Sequence, residues 1–445
     1  MKVKREIIVH GLRRCCLLGS GKQVDVNRYK QSNRNYRATF GDSRGGNPRV
    51  GIAGGRPDAL MSSIPFACRQ MAKDLALSKA KDKNFVFSPC SIQLALSFLT
   101  NGSSGSTLKE LLEFLDAKNL DDLNSVGMKY IEILTGSTDG GPILSFVGGA
   151  WVDQSWTLKP TFMTVAEEIY KGKAESVDFQ NKAIEITKEV NKWAEEATNG
   201  LIKSVIPSPL TPATVLVLAN ALYFKGRWRE PFDKSATKDS KFNLLDGNSV
   251  EIPFMTSPDR QWIDTFEDFK VLRLPYERSK DNKGTFSMYI ILPNKVDGLW
   301  PIIEQVGSDP LFLEKYVRLY PKLVDVREFM IPKFKMTFYV EASEILQGVG
   351  LKLPFSEEAA ELDEMVLGDR LCVSNVHHKS HIEVNEEGTE AAAATFMCNI
   401  VGSARRQPLP CVDFMADHPF MFMVRDNESG MVLFMGHVLN PLLDN

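Results

Sequence analysis

Apolar and polar positions along the chain fall into two rhythms. In "ILSFVGGAWV" (from Ile143), "TVLVLANALYF" (from Thr214), "FSMYIILP" (from Phe286), "HPFMFMVRD" (from His418) and "MVLFMGHV" (from Met431), β-branched and aromatic residues run continuously or alternate, as buried sheet strands require. The last two, separated by "NESG", predict a hairpin. The other rhythm is helical. "NFVFSPCSIQLALSFLTNGSSGSTLKELLEFL" (from Asn84) predicts an extended lead-in, a helix begun at Ser-Pro, a Gly/Ser turn and a second helix opened by a capping box, Thr107 with Glu110 three residues on. Ala183 to Leu201 repeats the helical period, with Trp193 on its apolar face. Helices gather early and strands late, without βαβα alternation, so the predicted class is α+β.

Composition divides the chain in two. The 445 residues are 43% hydrophobic and 24% charged, ordinary for a chain with a substantial core. The net charge of −3 hides an asymmetry. Residues 1–58 carry 13 Lys/Arg against 4 Asp/Glu, a balance of +9, which leaves 40 against 52, or −12, for the remainder. The first segment is rich in Arg, Gly, Ser and Asn, lacks a sustained apolar period, and reads as a disordered basic leader. His10, Arg13 and Arg14 interrupt its apolar stretch too early for a secretory signal, while an Arg-rich, acid-poor leader also fits a plastid or mitochondrial transit peptide. Residues 59–445 read as one compact domain.

Several chemistries find no support. No apolar run reaches membrane-spanning length, so no membrane partner is expected. The acidic folded part has no basic stretch interleaved with aromatics, so no nucleic-acid partner is expected either. Gly21-Lys22 is a near miss for a phosphate loop, since Cys16 and Gln23 stand where glycine and a hydroxyl are needed. No G-x-S-x-G elbow exposes a nucleophile, and the chain does not read as an enzyme. Five of the six histidines lie between His377 and His437. In a strand, His377 and His378 face opposite ways while His381 shares a face with His377, a poor ligand set, so no metal and no cofactor are expected. Seven cysteines with no CxxC pair argue for a reducing compartment. The cytoplasm is favoured, with plastid import or the extracellular space as alternatives. The sequons at Asn101 and Asn427 matter only outside the cell.

One stretch resists this scheme. "NEEGTEAAAAT", residues 385–395, holds four consecutive alanines with no apolar stripe around them. Composition alone fits an exposed alanine helix or a flexible linker. A strand that slides between two others also needs small side chains, because every second residue would point into the core. Counted alternately, Thr389, Ala391, Ala393 and Thr395 fall on one face, and Glu390, Ala392, Ala394 and Phe396 on the other. The first face is small and uncharged, and Gly388 ahead of it gives the backbone freedom to swing.

That stretch resembles the hinge of the serpins, most closely those of plants. "FMADHPFMFMV" (Phe414 to Val424) is similar to the family's C-terminal signature, and "ANALYFKGRW" (Ala219 to Trp228) to a central sheet strand. "NFVFSPCSI" (Asn84 to Ile92) and "NKWAEEATNGLIK" (Asn191 to Lys203) also match, in the right order from about residue 60 onward. The resemblance implies a serpin fold of three β-sheets with eight or nine helices and an exposed reactive loop. It also implies a monomer whose partner is a target protease, trypsin-like serine or papain-like cysteine, that cuts the loop and is trapped when the hinge side enters the large sheet. The alternative is a non-inhibitory relative with a storage, chaperone or binding role.

Carried across by resemblance, the hinge is Glu386, Glu387, Gly388, Thr389, Glu390 and Ala391, Ala392, Ala393 and Ala394. Ser88, Ser91, Asn220 and His378 match the cluster beneath the point where the sheet opens, although Ser88 and Ser91 also serve as ordinary helix starters. Counting forward from Gly388 puts the scissile bond at Gly402-Ser403. Counting back from Phe414 to Pro419 puts it at Arg406-Gln407. A trypsin-like pocket favours a basic residue, Arg405 or Arg406. His381 departs from the family, where an apolar residue is usual.

Overall fold

The structure, a computed structural model, describes residues 64–135, 141–280, 284–368, 370–389 and 411–444. The leader, Glu390 to Ala394 of the hinge, and the scissile candidates Gly402, Ser403, Arg405, Arg406 and Gln407 lie outside them. Among the described residues there are nine α-helices, α1 to α9, and eighteen strands, β1 to β18, arranged in sheets of ten, six and two strands.

The six-stranded sheet positions the site. Its order is β12 (Phe334–Glu341), β14 (Asn375–Asn385), β15 (Gly388–Thr389), β5 (Leu216–Arg227), β2 (Ile143–Asp153) and β4 (Lys173–Val177). β14 and β5 run parallel and pair directly from Asn375↔Val217 to His381↔Tyr223. Beyond that level β15 lies between them. Alternation sorts β5 cleanly: Leu216, Leu218, Leu222 and Phe224 enter the main core, while Val217, Ala219, Ala221 and Tyr223 pack with Phe179, Ile186 and Val190 of α6 (Phe179–Ala197). The strand is thus buried on both faces, which explains its unbroken apolar run. Truncating Phe224, 1% exposed, to alanine would cost about 3–5 kcal/mol.

Beneath the inner face lies α2 (Pro89–Asn101), in which twelve consecutive residues, Pro89 to Thr100, are buried. Its start is the Ser-Pro read from sequence. Ser88 accepts the Ser91 N–H at 3.3 Å, and Pro89 occupies the first turn, where its missing N–H costs nothing.

Two local expectations need correction. α3 (Gly105–Phe114) begins two residues before Thr107, which sits inside the helix. Glu361, distant in sequence, accepts the Ser106 and Thr107 N–H groups, and Glu110 instead accepts the N–H groups of Lys352 and Leu353. The orphan donors are satisfied from another part of the chain, so no capping box forms. The helix read over Ala183 to Leu201 begins at Phe179, where Asp178 accepts the Asn181 N–H, and ends at Ala197. At Asn101, the side-chain amide is bonded to Ser97, Asn124 and Tyr170 within the protein.

Candidate functional site

The chain from β14 to β15 makes a tight reversal at the top of the six-stranded sheet. Val384 pairs with Thr389 and Asn385 with Gly388, while on the other side Gly388 pairs with Arg227 and Thr389 with Gly226. β15 is antiparallel to both neighbours and forms a two-residue wedge in the seam between β14 and β5. Only glycine fits position 388: its φ is +151°, and a Cβ there would stand 2.0 Å from the Gly226 carbonyl oxygen. Thr389 is fully buried on the inner face, and its hydroxyl bonds the Tyr276 hydroxyl at 2.7 Å.

Several side chains clamp this reversal. Trp228 donates its indole N–H to the Asn385 carbonyl at 2.9 Å and stacks on Tyr276 at 4.5 Å. The N–H groups of Trp228 and Phe232 go to the carbonyls of Glu387 and Glu386. Glu386, 4% exposed, accepts the Thr237 hydroxyl at 2.9 Å and pairs with Lys333 at 3.0 Å. Burial pushes its carboxyl up, but hydrogen bonds from its own N–H, Lys333 and Thr237 outweigh that and hold it below the usual carboxylate range. Glu387 pairs with Lys234 nearer the surface. Thr237, Tyr276 and Lys333 carry no local motif and were not legible as site residues. Trp228 lies at the end of a segment already singled out.

Below the wedge, the structure brings Ser88, Ser91, Asn220 and His378 together, all buried. The Asn220 Oδ1 accepts Ser91 Oγ at 2.6 Å and lies 2.7 Å from His378 Nδ1. An amide oxygen only accepts, so Nδ1 carries the proton. His378 Nε2 then accepts the Ser88 N–H at 3.3 Å and Ser380 Oγ at 3.0 Å. Burial drives the His378 pKa down to about 3, so the ring is neutral, as this bonding pattern requires. The network joins α2, β5 and β14, the two strands flanking the seam among them. Ser88 is therefore both helix cap and network member. His377 and His381 face the other way, bonded to the hydroxyls of Tyr339 at 2.8 Å and Thr337 at 2.9 Å. Among the described residues no group of His, Cys, Asp and Glu could hold a metal ion.

Similarity to known proteins agrees with this arrangement. The family profile described as "Serpin (serine protease inhibitor)" matches residues 65–441. A Serpin-ZX of Arabidopsis thaliana is 45% identical over 380 residues, covering 84% of this chain and 96% of its own. A Serpin-ZXA of rice, Oryza sativa subsp. japonica, is 47% identical over 368 residues, covering 81% and 91%. The structure is similar to that of Arabidopsis AtSerpin1 in its "native stressed conformation", with TM-score 0.77, 43% identity and coverage of 85% of this chain and 97% of that one.

Proposed function

The chain belongs to the serpin family of protease inhibitors, and from that premise we propose that, as a monomer, it traps a trypsin-like serine protease or a papain-like cysteine protease by loop cleavage and insertion between β14 and β5. The observation that carries this reading is the β15 wedge: the hinge already pairs with both strands of the seam. Insertion is the continuation of a ladder that has begun.

Its register follows by counting. Ala391 would lie between Ile382 and Phe224, Ala393 between Ser380 and Leu222, and Thr395 between His378 and Asn220. All six flanking residues are at most 1% exposed. The inner face has no room for a bulky newcomer, which accounts for the small side chains at Ala391 and Ala393. Thr395 would part the His378–Asn220 contact, so the polar network is assigned the role of opening and reclosing around the strand. Glu386 and Glu387, anchored through Lys333 and Lys234, are assigned the fixed pivot.

The chemistry belongs to the protease. Its Ser or Cys nucleophile attacks the scissile carbonyl, the amine half of the loop departs, and the acyl-enzyme remains attached to the hinge side. About ten new backbone hydrogen bonds at roughly 1 kcal/mol net each would release on the order of 10 kcal/mol as the strand enters. The native form is then kinetically trapped, and insertion draws the acylated protease along the sheet before water can release it. Arg405 and Arg406 are the favoured residues for a trypsin-like pocket, with Gly402-Ser403 as the competing bond.

Incubation with trypsin and with papain, followed by denaturing electrophoresis and mass spectrometry of the released peptide, tests the proposal. A denaturant-stable adduct and a single new terminus among the named bonds are expected. Clean cleavage with no adduct would favour the non-inhibitory reading.

A further inference from the structure

The level at which β14 and β5 part is marked by a pair of rings. His381 and Tyr223 are the last directly paired residues of the two strands, and their side chains stack across the seam with centroids 6.3 Å apart and planes within 2°. Thr337 on β12 fixes the imidazole through Nδ1 at 2.9 Å. The Tyr223 hydroxyl is buried and makes no hydrogen bond, so the ring joins the strands, not the hydroxyl. In an inserted strand that continued the β15 register by three residues, Ala392 would come between His381 and Tyr223.

We propose that the His381–Tyr223 stack is a clasp that holds β14 against β5 and sets the rate at which an inserting strand opens the seam. Adjacent strands stand about 4.8 Å apart, and a strand between them doubles that separation, beyond stacking reach. The contact exists in the closed sheet and is lost on opening, so it slows insertion without stabilising the inserted product. This rests on the insertion reading above.

The clasp also has a pH dependence. Facing His381 are Lys335 and Thr337 on β12, Lys379 and Glu383 on its own strand, Tyr223 on β5, and Asp444, which pairs with Lys335 at 3.8 Å. Burial first, then Lys335, hold the imidazole below its ordinary pKa. A proton is therefore bound more readily once the stack is broken and the ring meets water, and opening is favoured as pH falls through the ordinary histidine range.

The test is the rate at which intact protein takes up a synthetic peptide of residues 390–401, followed by native electrophoresis, for wild type, His381→Val and His381→Phe at pH 7.5 and 5.5. His381→Val should take up peptide roughly five- to tenfold faster at pH 7.5, the range expected for a lost ring pair. His381→Phe keeps a ring and should restore the slow rate, and both variants should lose part of the acceleration that wild type shows at pH 5.5. A merely structural role for His381 would not give rescue of the rate together with loss of the pH response. Uptake by all three proteins at equal rates overturns the clasp alone. No uptake by wild type overturns the insertion reading, and the clasp with it.

Discussion

Thr389→Arg is the most direct perturbation of the wedge. Thr389 is fully buried between Val384 and Gly226 and bonded to the Tyr276 hydroxyl, with no acidic side chain among these neighbours. Removing that bond costs about 1 kcal/mol. Burying an unpaired guanidinium in its place costs several kcal/mol more. With a total near 4 kcal/mol, β15 would be expelled from the seam and the barrier to insertion raised by a similar amount, slowing it on the order of a thousandfold. Trapping depends on insertion outrunning hydrolysis of the acyl-enzyme, so the variant should be cut at the same bond and released. Titration against a fixed amount of protease, with adduct and cleaved product quantified by denaturing electrophoresis, reads the partition. Cleavage without adduct is expected. Thr389→Val, which loses the hydrogen bond alone, should retain most of the adduct. An unchanged adduct yield in Thr389→Arg would refute the claim that this face enters the sheet.

Two further outcomes follow from the same contacts. Glu386→Lys sets like charges against each other at the half-exposed Lys333 and removes the buried acceptor of Thr237, at a cost of about 1–3 kcal/mol. The reversal should lose its pivot, seen as a lower unfolding temperature and as chains associating through the open seam on native gels. Acid should weaken the native fold well above the carboxylate range. Burial lowers His378 to about 3 and His377 and His437 to about 4. These depressed values mean that the unfolded chain takes up protons first, so stability is full above about pH 6.5 and falls as pH drops toward 4. Each of the three rings contributes about 2 kcal/mol of loss by pH 5, about 6 kcal/mol together. Denaturant titrations at pH 7.5 and 5 check the slope, and a flat profile would contradict the buried, neutral assignment. Below about pH 4.5 the depressed Glu386 carboxyl adds its own loss as it protonates.

The strands and long helices were legible because burial imposes period: β5 reads as continuous apolar sequence since it is covered on both faces, and α2 opens at Ser88-Pro89 for the same local reasons in sequence and structure. The hinge was legible as alternation, Thr389 inward, although nothing in the residues foretold that Gly388 and Thr389 already lie within the sheet of the intact chain. What sequence could not supply is the clamp. Lys333, Thr237 and Tyr276 lie 53, 149 and 113 residues from their partners in the reversal, and no local pattern marks them. The capping box failed for the same reason, since Glu361, 254 residues from Thr107, took the role assigned to a neighbour. Long-range polar contacts are set by the packing of whole elements, so they surface only once the fold is assembled.

The central claim is that the segment after Gly388 can thread into an existing sheet and that doing so runs downhill. Calorimetry of the intact chain and of the same chain nicked once in the loop measures this directly. A gain on the order of 10 kcal/mol should raise the unfolding temperature of the nicked form by roughly 10 °C or more. A nicked form that melts with the intact one, or below it, would contradict the account.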